Sequence, residues 1–272
     1  MDKESPLGHT FYVTSWGYAA DHWYAWFVKA LNAHPEVMAY LANEGSRPKY
    51  FSERTRAERP DLVKFTQFIA DVGMTYTAIG DCYSYRAFQI KELRDKFSDL
   101  VPAINLVRHP YCWLEFYVRW RATNMRMPDG NTGPLDHEWS TVRHDVFKEL
   151  ELKSYEKKDV EVWASYQGMF LLNNIKRDVL SGVKQAALED IIKSPVMFCE
   201  IGDYLTQGRV AYDDSLLEKI YSWIWTPFRG EEKIRVVANE KYNSWPEWKQ
   251  EAFHKIVLND ILMFYRDLGY EF

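Results

Sequence analysis

Between Phe11 and the helix that begins after Pro110, short apolar runs of strand length alternate with stretches of helical period. That alternation constrains the fold more than any other feature of the chain, because strands separated by helices pair in parallel. Phe11-Tyr-Val-Thr-Ser15 is a β-rich run ending at Trp16-Gly17. Directly after it, Trp23, Trp26, Phe27, Ala30 and Leu31 recur as one apolar stripe at helical spacing, which Asn32-Ala-His34-Pro35 stops. Val37–Leu41 reads as a second strand and Gly45-Ser-Arg-Pro-Lys-Tyr50 as a basic loop. Leu62, Phe65, Phe68, Ile69 and Val72 mark another helix, and Tyr76–Ile79 a third strand ending at Gly80-Asp81. The clearest strand is Ala103–Val107, followed by Arg108-His109-Pro110 and a helix rich in Trp and Tyr. The expected class is α/β, with a central, mostly parallel sheet flanked by helices. Ligands in such sheets bind beyond the carboxyl ends of the strands, here Trp16-Gly17, Glu44, Asp81 and Arg108.

Past Ala122 the pattern changes. Met127–Pro134 is dense in turn residues and predicts a long loop, so that 122–140 reads as a lid or acceptor loop. Helices are expected at 143–156 and 159–181, a short strand at Val183–Leu188, and a helix running on to Thr206. Phe228-Arg-Gly230 reads as a loop, and one amphipathic helix is expected from Pro246 to Leu268. No stretch has the composition of a linker, so residues 1–272 are expected to form a single domain.

Several function classes are excluded by composition. Thirty-four basic against 39 acidic residues give a net charge of −5, which disfavours a general nucleic-acid binder. No apolar run reaches the ~18 residues a membrane span needs, and the start, MDKESPLGHT, is unlike a signal or transit peptide. A cytoplasmic location without a transmembrane segment is therefore expected. Cys82, Cys112 and Cys199 fit neither a disulfide framework nor a zinc site, and no metal is expected. Aromatic residues reach 16 %, and the Trp and Tyr among them suit both a core and a pocket for flat or sugar-like ligands. Trp113, Trp120 and Trp139 lie near the expected lid; each is a core candidate first and an acceptor-pocket candidate second.

A loop between a first strand and its helix is an anion site, because free amides and the helix dipole converge there. This chain has such a loop at Trp16–Trp23 but neither the G-x-x-x-x-G-K-[ST] nor the G-x-G-x-x-G pattern. Arg108 leaves a strand end just before a helix, where it can grip a phosphate or join an ion pair. Taken in order, Tyr12-Val-Thr-Ser-Trp-Gly17 through Trp23 with Ala30–Pro35, Ile79-Gly-Asp-Cys-Tyr-Ser84, Ile104–Pro110, and Ala187–Asp190 with Ser194-Pro195 and Tyr204-Leu205 form a series. The series resembles the sulfotransferases that use 3′-phosphoadenosine 5′-phosphosulfate (PAPS), whose architecture is P-loop-like. The resemblance implies that PAPS is the donor, that Gly17, Tyr18, Ala19, Ala20, Asp21, His22 and Trp23 hold its 5′ end, and that Arg108 holds its 3′-phosphate. It also implies an acceptor that is a small molecule or carbohydrate carrying a hydroxyl or amine.

The chain departs from the family at informative places. Where the family commonly has a Lys or Arg, then Ser-Gly-Thr-Thr, then often Trp, this chain reads Tyr18-Ala-Ala-Asp-His-Trp23. The family's serine eight residues after the arginine corresponds to Phe116. Asp21 either caps the following helix or sets a negative charge beside a phosphate. Protonated His22, Arg47 and Lys49 can each supply positive charge, and backbone amides need no side chain. Transfer also needs a base to take the acceptor's proton. The candidates are Glu44, His22 and Asp81; Glu44 is otherwise a solvated loop carboxylate, and Asp81 a turn residue. His34 and His109 read as structural. The mixed-charge run Glu53–Arg59 reads as a solvated face. The altered loop leaves a second expectation open, a catalytically silent sulfotransferase-like binding protein.

Overall fold

The computed structural model describes residues 10–15, 22–41, 75–82, 101–124, 150–153, 159–173, 175, 183–223 and 238–272. Its described strands are β1 (Thr10–Ser15), β2 (Val37–Leu41), β3 (Ala78–Cys82), β4 (Ala103–Val107) and β5 (Lys184–Ala187). The helices used below are α1 (His22–Leu31), α2 (Pro110–Asn124), α3 (Val160–Leu172), α4 (Leu188–Lys193), α5 (Pro195–Thr206), α6 (Asp214–Ser222), α7 (Glu247–Ile256) and α8 (Asn259–Asp267). No described helix is long and apolar enough to cross a membrane.

The strands form one five-stranded sheet in the order β2-β3-β1-β4-β5, and every pairing is parallel. This is the α/β class that the alternating pattern predicts. The chain forms two compact units, one of residues 1–107 with 177–230 and the other of 108–176 with 231–272. Each unit is assembled from segments distant in sequence, so no stretch of linker composition marks a boundary.

In the first unit, one face of the sheet carries Phe11, Val13, Val37, Ala39, Ala78, Cys82, Ile104, Leu106 and Ala186 into the apolar core. Tyr24, Phe27 and Leu31 of α1 and Phe198, Ile201 and Leu205 of α5 complete that core. The alternation of a strand sends the intervening residues to the other face, and there Thr10, Tyr12, Thr14, Asp81 and Asn105 are all buried. Asn105 stands in register with Gln185 of β5 and donates to its Oε1 at 2.7 Å, a cross-strand amide pair that fixes register.

Asn32, expected only to stop α1, does more. Its Nδ2 donates to the Ala39 carbonyl at 2.8 Å and its Oδ1 accepts the Ala39 N–H at 2.7 Å. Among the described residues β2 is an edge strand, and there the Asn32 amide takes up part of its open ladder. Tyr24 Oη donates to the Val13 carbonyl at 2.9 Å and ties α1 onto β1.

Besides the predicted helix 159–181, whose described helical part ends at Leu172, four boundaries differ from the expectation. β3 begins two residues later and ends three residues later than the predicted run, so Gly80 and Asp81 are inside the strand. A Cβ on Gly80 would lie 2.0 Å from the Phe11 ring; glycine is there for close approach, not for a turn. The predicted helix ending at Thr206 is two, because Pro195 has no N–H to continue α4 and Ser194 caps α5 by accepting the Met197 N–H. The predicted helix Pro246–Leu268 is α7 and α8, broken at Val257-Leu258. Asn173 holds the break, donating to the Ile256 carbonyl at 2.6 Å and accepting the Leu258 N–H at 2.9 Å.

The fourth boundary is the expected helix 143–156, whose described residues 150–153 are turn and irregular chain, with Glu151 at φ +50. Of the expected lid 122–140, residues 122–124 are the last turn of α2; the rest lies outside the described residues. The helix α6 has no counterpart in the sequence reading, although Asp213 caps it by accepting the Leu216 N–H at 2.8 Å.

Candidate functional site

The chain reverses direction across the sheet between β1 and β4. From β1 it passes to β2 on one side, and from β4 to β5 on the other. A parallel sheet leaves a crevice at such a switch point, outside the carboxyl ends of the two strands. β1 and β4 are neighbours, with Ser15 opposite Leu106. The segment after Ser15 and the residue after Val107, Arg108, therefore leave from adjacent strand ends. These are the two places where the sequence analysis expects anion-binding residues.

Residues 17–21 of the expected phosphosulfate loop, and Glu44, Arg47 and Lys49, lie outside the described residues. His22 is the first residue of α1, at the end where backbone N–H groups and the helix dipole favour an anion. Trp23, one residue on, is partly buried and packs against the apolar core. Asp81 is 0 % exposed and pairs with Tyr12 on one side and Tyr40 on the other. It is therefore a strand residue and not the turn carboxylate that the sequence suggests.

Arg108 is half-buried and stands one residue ahead of α2, with a strand fixing the chain behind it. Ahead of it the His109 carbonyl accepts the Trp113 N–H at 2.9 Å, and His109 Nδ1 accepts the Tyr111 N–H at 3.2 Å. The imidazole thus fills the capping role that a short polar side chain usually takes. Burial first, and the adjacent Arg108 charge to a lesser degree, lower the His109 pKa to about 4, against the raising effect of the Glu271 carbonyl. A neutral ring beside the arginine leaves the guanidinium as the positive charge at this turn. A cation next to the free N–H groups of a helix start is a combination that can attract an anion.

The sequence reading missed a charged pair further along the same helix. Lys249 of α7 is 2 % exposed; its Nζ donates to Glu115 of α2 and sits 4.6 Å over the Trp245 ring. A lone lysine in an amphipathic stretch carries no signal of burial, which only the facing carboxylate and ring reveal. Of the aromatic candidates, Trp113 is buried and stacks on Tyr117 at 5.2 Å, a core position. Trp120 is exposed, with the Arg121 guanidinium 5.1 Å from its ring; Trp139 lies outside the described residues. His34 is structural, its Nδ1 accepting the Glu36 N–H at 3.2 Å. Among the described residues no group of three or more His, Cys, Asp or Glu is placed to hold a metal ion.

No protein-family model and no curated protein matches the chain. Among solved structures, a sulfotransferase domain from the curacin biosynthetic pathway is similar to it at 17 % sequence identity. The match covers 97 % of this chain and 98 % of that one, with a TM-score of 0.39.

Proposed function

We propose that the chain is a sulfotransferase that takes a sulfuryl group from PAPS and passes it to a hydroxyl or amine of a sugar-containing or small-metabolite acceptor. One observation carries the reading. The two segments that the sequence marks as phosphate ligands follow neighbouring parallel strands at the point where the connections diverge. Arg108 holds the 3′-phosphate, a charge-assisted contact that a guanidinium suits better than an ammonium. Gly17, Tyr18, Ala19, Ala20, Asp21, His22 and Trp23 wrap the 5′ end, mainly through backbone amides at the start of α1.

When bound, the donor supplies the sulfuryl group and leaves as 3′,5′-ADP. The protein's own task is then to collect positive charge at one end and to accept the acceptor's proton at the other. Glu44 is the first choice for the base, with His22 and Asp81 behind it. Asp81, buried within β3, needs an acceptor that reaches the sheet itself. The fully neutral replacement Glu44→Gln is expected to lower kcat by about 100-fold or more while leaving donor affinity unchanged, measured by single-turnover transfer.

The same loop favours a second reading. Tyr18-Ala-Ala-Asp-His22 lacks the cation and hydroxyls usual in the family, as expected of a silent homologue kept for binding. Calorimetric titration with 3′,5′-ADP and 5′-AMP separates the two. The enzyme reading expects 3′,5′-ADP to bind more tightly, and Arg108→Ala to weaken it by roughly 10- to 100-fold. Equal or absent binding of both nucleotides by the unaltered protein contradicts it.

A further inference from the structure

The Arg108 turn is held from a second side by a distant part of the chain. His109 is 6 % exposed, with Nδ1 facing the Tyr111 N–H and Nε2 lying 3.4 Å from the Glu271 carbonyl oxygen. An N–H faces one nitrogen and a carbonyl the other, so the partners assign the proton to Nε2. One ring therefore accepts from the first turn of α2 and donates to the segment after α8. Rings close the space around it: Tyr111 at 4.9 Å, Tyr270 at 5.3 Å and Phe272 at 5.3 Å. Phe272 also meets Tyr111 at 5.6 Å and Tyr265 at 6.1 Å.

The segment reaches His109 because the chain reverses after α8. Gly269 has φ +85, a conformation glycine adopts without a Cβ penalty, and the Tyr270 N–H then returns to the Tyr265 carbonyl at 3.1 Å. A cap alone needs none of this: asparagine accepts the same backbone N–H as well as any residue. The Nε2 contact and the aromatic enclosure are what a histidine adds.

We propose that His109 and Tyr270–Phe272 form a strap that positions Arg108, holding the backbone from which its side chain projects so that the 3′-phosphate meets a guanidinium already in place. His109 is thus a positioning residue and touches no ligand. The inference rests on the reading of Arg108 as the 3′-phosphate ligand. Its physical basis is that directed, charge-assisted contacts are lost when their support shifts by about an ångström.

The test is the ratio of dissociation constants for 5′-AMP and 3′,5′-ADP, read by titration on the full chain and on Arg108→Ala, His109→Asn and Phe272→Ala. His109→Asn keeps the cap and removes the strap. Phe272→Ala loosens the enclosure while leaving His109 in place, and carries the test alone if His109→Asn does not fold. Both are expected to lower the preference for 3′,5′-ADP by about tenfold, with 5′-AMP affinity changed less than about twofold. A purely structural role would lower both affinities together or neither, and either result overturns the strap. A full preference retained in both variants overturns it as well. If the unaltered protein shows no preference, or Arg108→Ala leaves it intact, the reading of Arg108 itself falls, a result distinct from failure of the strap.

Discussion

His109 is the residue at which chain geometry and charge meet. Its ring stays neutral down to about pH 4 in the folded protein, whereas an ordinary histidine titrates near 6.5. Between those values the unfolded chain binds a proton that the folded chain does not, so stability is complete above about pH 6.5 and falls as pH drops toward 4. The loss across that window is about 3 kcal/mol. Urea unfolding of the unaltered protein and of His109→Asn, compared at pH 7 and pH 4.5, is expected to show the larger decline in the unaltered protein. Equal declines would mean that the ring is not buried neutral. That His109 is structural is legible from its place before a proline, but its partners are not, because Glu271 and Phe272 carry no local sequence signal linking them to it.

Elements were legible wherever a local pattern alone decided them. β2 and β4 lie where their apolar runs stand in the sequence, and α1 begins next to its first apolar residue. Boundaries set by tertiary contact were not. The apolar pattern runs on through Val257-Leu258 because both flanking helices bury apolar residues, whereas the amide of Asn173, distant in sequence, binds both sides of the break. Asn173→Ala is expected to destabilise the protein by about 0.5–2 kcal/mol, since it removes the partners of the part-buried Ile256 carbonyl and of the exposed Leu258 N–H; the urea midpoint measures this. Gly80-Asp81 looks like a turn because glycine and aspartate favour turns, yet the Phe11 ring occupies the space a side chain at 80 would need. Gly80→Ala is expected to cost about 1–3 kcal/mol from overpacking, read from the same midpoint. A loss below about 0.5 kcal/mol would show that the ring moves aside freely.

For the molecule as a whole, the alternating pattern announced a parallel α/β sheet, and the strand order adds what periodicity cannot supply. β1 and β4 become neighbours only through connections that cross the sheet, which no local window of sequence contains. That adjacency sets the ends of β1 and β4 side by side, with Ser15 opposite Leu106. The assembly of each unit from segments distant in sequence likewise leaves no mark in composition. The central claim, a nucleotide-donor site at these strand ends, is tested most directly by heat denaturation with 3′,5′-ADP, PAPS and ATP at several concentrations. A ligand at 100 times its dissociation constant adds about 2.7 kcal/mol of stability. Protection by 3′,5′-ADP and PAPS that grows with concentration, with ATP much weaker, is the predicted result. No shift with any of the three would contradict it.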